Sequence, residues 1–365
     1  MRGNLLIAAP TTLAVCAAAA AQSFTGLGNL GGSLPSSTGW AVTNGGAVVV
    51  GESFAPGAIE AFRWTPAGMQ SLATMPGGGL SSLARGVSAA GAVVVGQSRD
   101  DGFVLEAVRW TESAGMEGLG FLPGHSVSIG AAVSGDGATI VGRSSVSTVA
   151  QAFRWTEASG MEGLGFLPGD VVSDARGVSG DGSVIVGTSG LGFSPTSARQ
   201  ACRWVDGVAS GLGFLPGDNG SGALAVSADG ATVVGGSFFI GGIGSHPFRW
   251  TEAGGMEYLG LGPQSSNCDA LSVSGDGSII VGTCYTASRA IACIWTAAEG
   301  IRPLEDVLVD EYGLSLSGWI LIVAHGVSPA GDASSATGST RAASRRRFLP
   351  CCRRCARPTA TATEN

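Results

Sequence analysis

Lysine is missing from all 365 residues, and each of the twenty basic side chains is arginine. That absence removes a Walker-A phosphate lysine, a Schiff-base lysine and a lysine general base. Histidine is almost missing as well. His125, His246 and His325 fall in different repeat units with no ligand-like spacing, which argues against a zinc site or a histidine-based triad. Charge is sparse, at 13% of residues. Long apolar runs are lacking past the N-terminus. The best of them, residues 314–324, falls well short of the roughly 20 residues a spanning helix needs. A mature chain without a transmembrane helix is therefore expected. No motif implies a cofactor or a bound metal.

What the chain has in excess is glycine, 61 residues in all, with 44% hydrophobic residues. This is too apolar for a disordered chain and too irregular for collagen, and it suggests many turns between short strands. The net charge of −7 conceals two regions. Arg341, Arg345, Arg346, Arg347, Arg353, Arg354 and Arg357 crowd the C-terminus, and the body before them is acidic. An acidic body argues against nucleic acid as a partner. Residues 1–21 read as a secretory signal, with Arg2 as the positive end, an apolar alanine-rich stretch, and Ala19-Ala20-Ala21 as the cleavage site. A lipoprotein signal at Cys16 is the weaker reading, because Val15 is bulky where a small residue is expected.

Internal repeats dominate the rest. An AFRWT-like block recurs at 61–65, 107–111, 152–156, 201–205, 247–251 and 292–296. It carries Trp64, Trp110, Trp155, Trp204, Trp250 and Trp295 at spacings of 46, 45, 49, 46 and 45. A VS-turn-VG block recurs between them at 86–98, 132–144, 177–189, 225–237 and 272–284, with a degenerate first copy at 41–53. GLGFLPG stands at 118–124 and 163–169 and again at 211–217. Each period holds about four strand signals. Phe153 and Trp155 alternate with Arg154, giving one apolar face, whereas Val184-Ile185-Val186 is apolar throughout, as in a strand covered on both faces. Four short strands in about 45 residues match a propeller blade. The expected fold is an all-β propeller of six to seven four-stranded blades spanning residues 22–332, with a β-solenoid as the alternative.

These blocks resemble the HAF-type bacterial extracellular repeat proteins over roughly residues 24 to 332, through AFRWT, GMEGLGFLPG and VSGDGSVIVG. The resemblance implies secretion and a repeated β architecture, and it implies no known activity. The chain departs from it after Asp332.

Residues 333–365 read as an aberrant, disordered tail. Arginine pairs, Cys351-Cys352-Arg353-Arg354-Cys355 and alanine-threonine alternation are typical of a GC-rich gene read out of frame. Codons permitted for residues 333–341, read from their third base, yield IVGHGLNP, and further permitted codons yield an EAF element and a DCDGDGE segment like a calcium loop. A frameshift is thus expected there, the competing reading being a genuine basic, cysteine-rich tail. A zinc site on its three cysteines is a poor fit.

Asp136, Asp181, Asp229 and Asp276 each supply one carboxylate, where calcium wants several oxygens, so they read as turn residues. Their likeness to the sialidase Asp-box fails at its aromatic, which is a Val-Gly pair here. The repeated tryptophans read as core, and Trp40 and Trp319, outside that slot, as better candidates for exposed contacts. Arg63, Arg109, Arg154, Arg203 and Arg249 read as ion-pair partners, with Glu112, Glu157 and Glu252 nearby. Cys202 and Cys293 occupy the slot of Phe62 and Phe153 and read as buried. Cys268 and Cys284 lie eight residues either side of Asp276, so a hairpin centred there opposes them and predicts a disulfide. No residue is singled out as catalytic. The expected role is a secreted or cell-surface structural or binding module for a glycan or surface protein, its oligomeric state open. The alternative is a propeller-type glycoside hydrolase or lyase with carboxylates at the central mouth.

Overall fold

The computed structural model describes residues 23–340 apart from 33–35, 76–80, 195, 243 and 317. The signal-like residues 1–21 and the arginine-cysteine stretch from Arg341 lie outside the described residues.

The chain is all-β. One unit shows how each block is used. In unit 4, Val172–Val178 pairs with Val184–Gly190, which pairs with Arg199–Val205, which pairs with Val208–Gly213, all antiparallel. The VS-turn-VG block is therefore the first hairpin, and the AFRWT-type block is the third strand. Units 1 to 6 repeat this order within residues 37–71, 81–118, 127–163, 172–213, 220–258 and 265–303. A parallel bridge between Ile59 and Ser81 joins units 1 and 2 into one eight-stranded sheet. Unit 7 has two strands among the described residues, Trp319–Val327 and Ser334–Thr340. The second of them lies beyond Asp332, so ordered β structure runs further than the repeat boundary expected from sequence. Its small, alternating side chains still allow ladder pairing although the apolar VIVG pattern is gone.

The second strand explains the apolar triplets. Ile185 faces backward, into a cluster with Val141 and Ala152 of unit 3, while Val186 faces forward, into a cluster with Val233 and Phe248 of unit 5. Alternate residues of one strand thus fill two different interfaces, and both must be apolar. The glycine that follows is dictated by the backbone. The first strand bulges beside it, and a Cβ on Gly51, Gly96, Gly142, Gly187, Gly235 or Gly282 would come within 1.8–2.0 Å of a first-strand carbonyl oxygen.

The first-hairpin turns of units 3 to 6 are built alike. In unit 4 the buried Ser179 hydroxyl accepts from Val184 N–H and donates to Asp181, whose carboxylate also accepts from Ser183 N–H. Those hydrogen bonds, the serine's first, hold the Asp181 and Asp276 carboxyls down at about 2. Gly182 completes the turn at φ +77°.

Neighbouring units touch in a cyclic order. Each first strand contacts the next, from Ser37–Val42 through to Trp319–Val327, and the seventh contacts the first. Turn backbones form a matching relay: Ala89 N–H to Gly135, Asp136 to Gly180, Gly180 to Ala228, Ala228 to Gly275 and Gly275 to Pro329, at 2.8–3.3 Å. Side chains close it, with Ala330 N–H donating to Asn44 Oδ1 at 2.8 Å and Gly45 N–H to Asp332 Oδ1 at 3.0 Å.

Cys268 and Cys284 are directly opposed in unit 6 and joined Sγ to Sγ at 2.06 Å. Cys202 and Cys293 are buried, and burial pushes both thiols up, Cys293 to about 12.

Two outcomes are expected. Ser335 occupies the place of Val50, Val95, Val141, Val186, Val234 and Val281, is 5% exposed, and has no hydrogen-bond partner for its hydroxyl among the described residues. Ser335→Val should stabilise by about 1–2 kcal/mol in urea titrations, and Val186→Ser should cost about 3 kcal/mol. Peptide mapping without reductant should recover the 268–284 cross-link, and Cys268→Ala/Cys284→Ala should lose about 3 kcal/mol; two free thiols would dismiss the bond.

Candidate functional site at the mouth of the central channel

The first-strand bulge decides which side chains meet at the middle of the molecule. The bulge residues are Trp40, Arg85, Ala131, Arg176, Leu224, Leu271 and His325, one per unit. Arg85, Trp40 and His325 are in contact. Arg85 lies over the Trp40 ring at 5.3 Å, and the Trp40 and His325 rings are 4.4 Å apart. His325 Nε2 is 3.0 Å from Thr337 Oγ1. The residue after each VG glycine adds Glu52 and Arg143 to the same space.

Beside the bulge residues Arg176 and Leu224 lies a cavity of about 430 Å³. Asp174, Arg176, Arg199, Phe193, Phe238 and Asp269 line it, together with the glycine-rich hairpin at 239–245. Asp174 is buried and accepts from Arg176 Nε at 2.7 Å, with Arg143 Nη1 at 3.6 Å. Arg143 lies over Phe193 at 5.4 Å and Arg199 over Phe238 at 4.7 Å. Arg199 makes no ion pair with a carboxylate among the described residues.

The electrostatics are those of partly dried charges crowded together. Burial pushes the Arg85 guanidinium below the usual range. Glu52 and Asp174 oppose this, while Arg176 and Arg143 add repulsion. Burial and Arg176 lower Arg199 in the same way. Burial raises the Glu52 carboxyl against the pull of Arg85 and Trp40. It also raises Asp269 against hydrogen bonds from Ser245 and Tyr285. Four guanidiniums thus share this channel with three carboxylates, two of which resist ionising.

Apart from Trp40 and His325, the candidate residues of the sequence lie elsewhere. The repeated tryptophans are half-buried or buried between units, Trp204 at 1% exposure and Trp110 at 9%. Arg109 of unit 2 stacks on Trp155 of unit 3 at 5.1 Å and binds Glu157 at 3.0 Å. Arg203 of unit 4 repeats the arrangement on Trp250 and Glu252 of unit 5. These arginines therefore latch successive units. Trp40 is half-buried in the channel. Trp319 is also half-buried, packed against Phe24, and so is not the exposed contact expected of it. His246 lies 2.9 Å from Asp218, apart from the channel histidine. Among the described residues no three His, Cys, Asp or Glu side chains cluster as metal ligands, and no helix is long and apolar enough to cross a membrane.

Arg85, Arg143, Arg176, Arg199, Asp174 and Asp269 were missed because none of them holds a position that is kept through all the repeats. The available signal was the reverse of repetition. Arg143 falls inside the block 132–144, and the others stand one to three residues before a block, where the copies differ more.

No family model matches the chain, and neither does any curated protein. Among solved structures, it is similar to the crystal structure of TolB from Acinetobacter baumannii at 16% identity, over 65% of this chain and 57% of that one, with a TM-score of 0.46. It is also similar to a putative TolB from Agrobacterium tumefaciens at 15% identity, over 65% of this chain and 83% of that one, with a TM-score of 0.44. The match thus spans little more than half the length of the Acinetobacter protein.

Burial lowers the His325 imidazole from 6.5 to about 4. The unfolded chain therefore takes up this proton first, and the stability it contributes is complete above pH 6.5 and lost as pH falls toward 4. Glu52 and Asp269 act in the opposite sense, so a comparison is needed to isolate the histidine. Thermal melts from pH 7 to pH 4.5 should show a steeper loss for the native chain than for His325→Gln; equal slopes would exclude a buried neutral imidazole.

Proposed function

We propose that the chain is a secreted seven-unit β-propeller acting as a binding module, and that its ligand is an acidic glycan seated at the channel mouth. The cyclic order of first-strand contacts favours a propeller over a solenoid, in which the end units stay apart. The signal-like N-terminus and the opposed cysteine pair of unit 6 support an oxidising, extracytoplasmic setting. The resemblance to HAF-type repeat proteins belongs to the same reading.

One observation carries the ligand class, namely guanidiniums crowded beside phenyl rings in an open cavity. Mutual repulsion among Arg85, Arg143 and Arg176 is relieved by a bound anion. A uronate offers carboxylates to Arg199 and Arg176 and apolar sugar faces to Phe193 and Phe238. The cavity falls within the size range of small-ligand sites.

A second reading has its own support. Asp269, raised by burial, and Asp174, held by two arginines, share the cavity, and glycosidases use carboxylates in contrasting environments.

Calorimetric titration with oligogalacturonate and with neutral oligosaccharides tests both. Saturable binding of the acidic oligomer alone is expected, weakening as salt rises and dropping about tenfold in Arg199→Ala. Equal binding of neutral sugars, or none of either, would overturn the acidic-glycan reading. Release of new reducing ends that stops in Asp269→Asn would establish the enzyme instead.

A further inference from the structure

In units 2 to 5 a first-strand serine joins three pieces of chain. The hydroxyls of Ser128, Ser173 and Ser221 donate to the connector carbonyls of Gly120, Gly165 and Gly213 at 2.7 Å. The same oxygens, and that of Ser82, accept the N–H of Ala107, Ala152, Ala201 and Ala61 at 2.9 Å. Those alanines belong to the third strand of the preceding unit. Connector leucines then bind the next unit, with the Leu122, Leu167 and Leu215 amides donating to Ser144, Ser189 and Ser237.

The N-terminal segment Gly26-Leu27-Gly28-Asn29-Leu30 reproduces that connector against unit 1. Ser37 Oγ donates to the Gly28 carbonyl at 2.6 Å, and Leu30 N–H donates to Ser53 Oγ at 3.0 Å. Leu27 and Leu30 pack on the cluster of Val42, Val49 and Phe62. This segment therefore stands where the end of a fourth strand and its connector leave units 1 to 4.

Ser334–Thr340 supplies the second strand of that unit, but among the described residues no third strand pairs with its outer edge. The acceptor side of Ser37 Oγ likewise meets no N–H donor among them. Space is open beside Gly26 as well. Its counterparts Gly118, Gly163 and Gly211 are covered by Glu106, Gln151 and Gln200 from the third strand, whereas a Cβ on Gly26 would meet only Trp319, at 3.9 Å.

We propose that unit 7 is a strand-accepting site. An extended peptide of the chain's own Gln-Ala-Phe-Arg-Trp-Thr pattern inserts between Ser334–Thr340 and residues 24–27. Its alanine N–H donates to Ser37 Oγ, and its backbone extends the ladder of Trp319–Val327 with Ser334–Thr340 and pairs on its other side with residues 24–27, as in strand addition to a sheet edge. The phenylalanine takes the place that Phe62, Phe153 and Phe248 hold in their units. This inference is independent of the channel ligand.

A fluorescent peptide with the sequence of residues 149–156 tests it on the intact chain by anisotropy. One-to-one saturable binding is expected, with a scrambled peptide inert. N-methylation of the peptide's central alanine should weaken binding about fivefold, Ser37→Ala should do the same, and the two together should do no more than either. Hydrogen exchange should show protection of residues 334–340 when the peptide is added, a readout that does not depend on the variant. No binding, or additive losses without protection of that strand, would overturn the proposal.

Discussion

At six first-strand bulges the facing glycine has no room for a methyl group, and the rest of the architecture follows from them. Where the first strand bulges, its carbonyl oxygen is driven toward the glycine after each VV, IV or TVV run, at a distance no Cβ tolerates. The bulge turns one residue of every unit toward the middle of the ring. The glycine also leaves the surface flat for the third-strand aromatic, as Phe62 on Gly51 and Phe153 on Gly142 show. Unit 7 tests the rule by breaking it. Ala336 holds the glycine position there, opposite Ala324. Ser335, beside it, puts a hydroxyl where the other units bury valine.

Between units the adhesive is of two kinds. Apolar contacts supply area, with the second strand contributing one side chain backward and one forward. Polar contacts supply register. The buried serines, the turn-to-turn amide relay and the Arg-Trp-Glu latches each tie one unit to the next at fixed positions, so a slip of one residue breaks all of them together. The valine-serine pair is thus a core feature in both residues, the serine holding its own turn while remaining fully buried.

The repeats were legible because they encode what every unit must do alike. The hairpin turns at Asp181 and Asp276, the two-sided burial of Val184-Ile185-Val186, the buried Cys202 and Cys293 and the opposition of Cys268 to Cys284 all come from spacing and alternation within about twenty residues. The channel was not legible in this way. Arg85, Arg143, Arg176 and Arg199 are separated by whole strands, and nothing local distinguishes them from the surface arginines. The N-terminal GLGNLGG was not recognised as a connector for the same reason, since its serine partner and the strand it would follow belong to opposite ends of the chain.

Local chemistry therefore determined the β class, the repeat length, the turns and the composition of the inter-unit core, because strand alternation and glycine sterics act over a few residues. Tertiary structure decided the cyclic order of the units, the gathering of guanidiniums in one partly dried space, and the meeting of residues 24–30 with Ser334–Thr340. Those features depend on the angle at which each twisted sheet packs on the next. That angle is set jointly by all the interface side chains and is written in no single repeat.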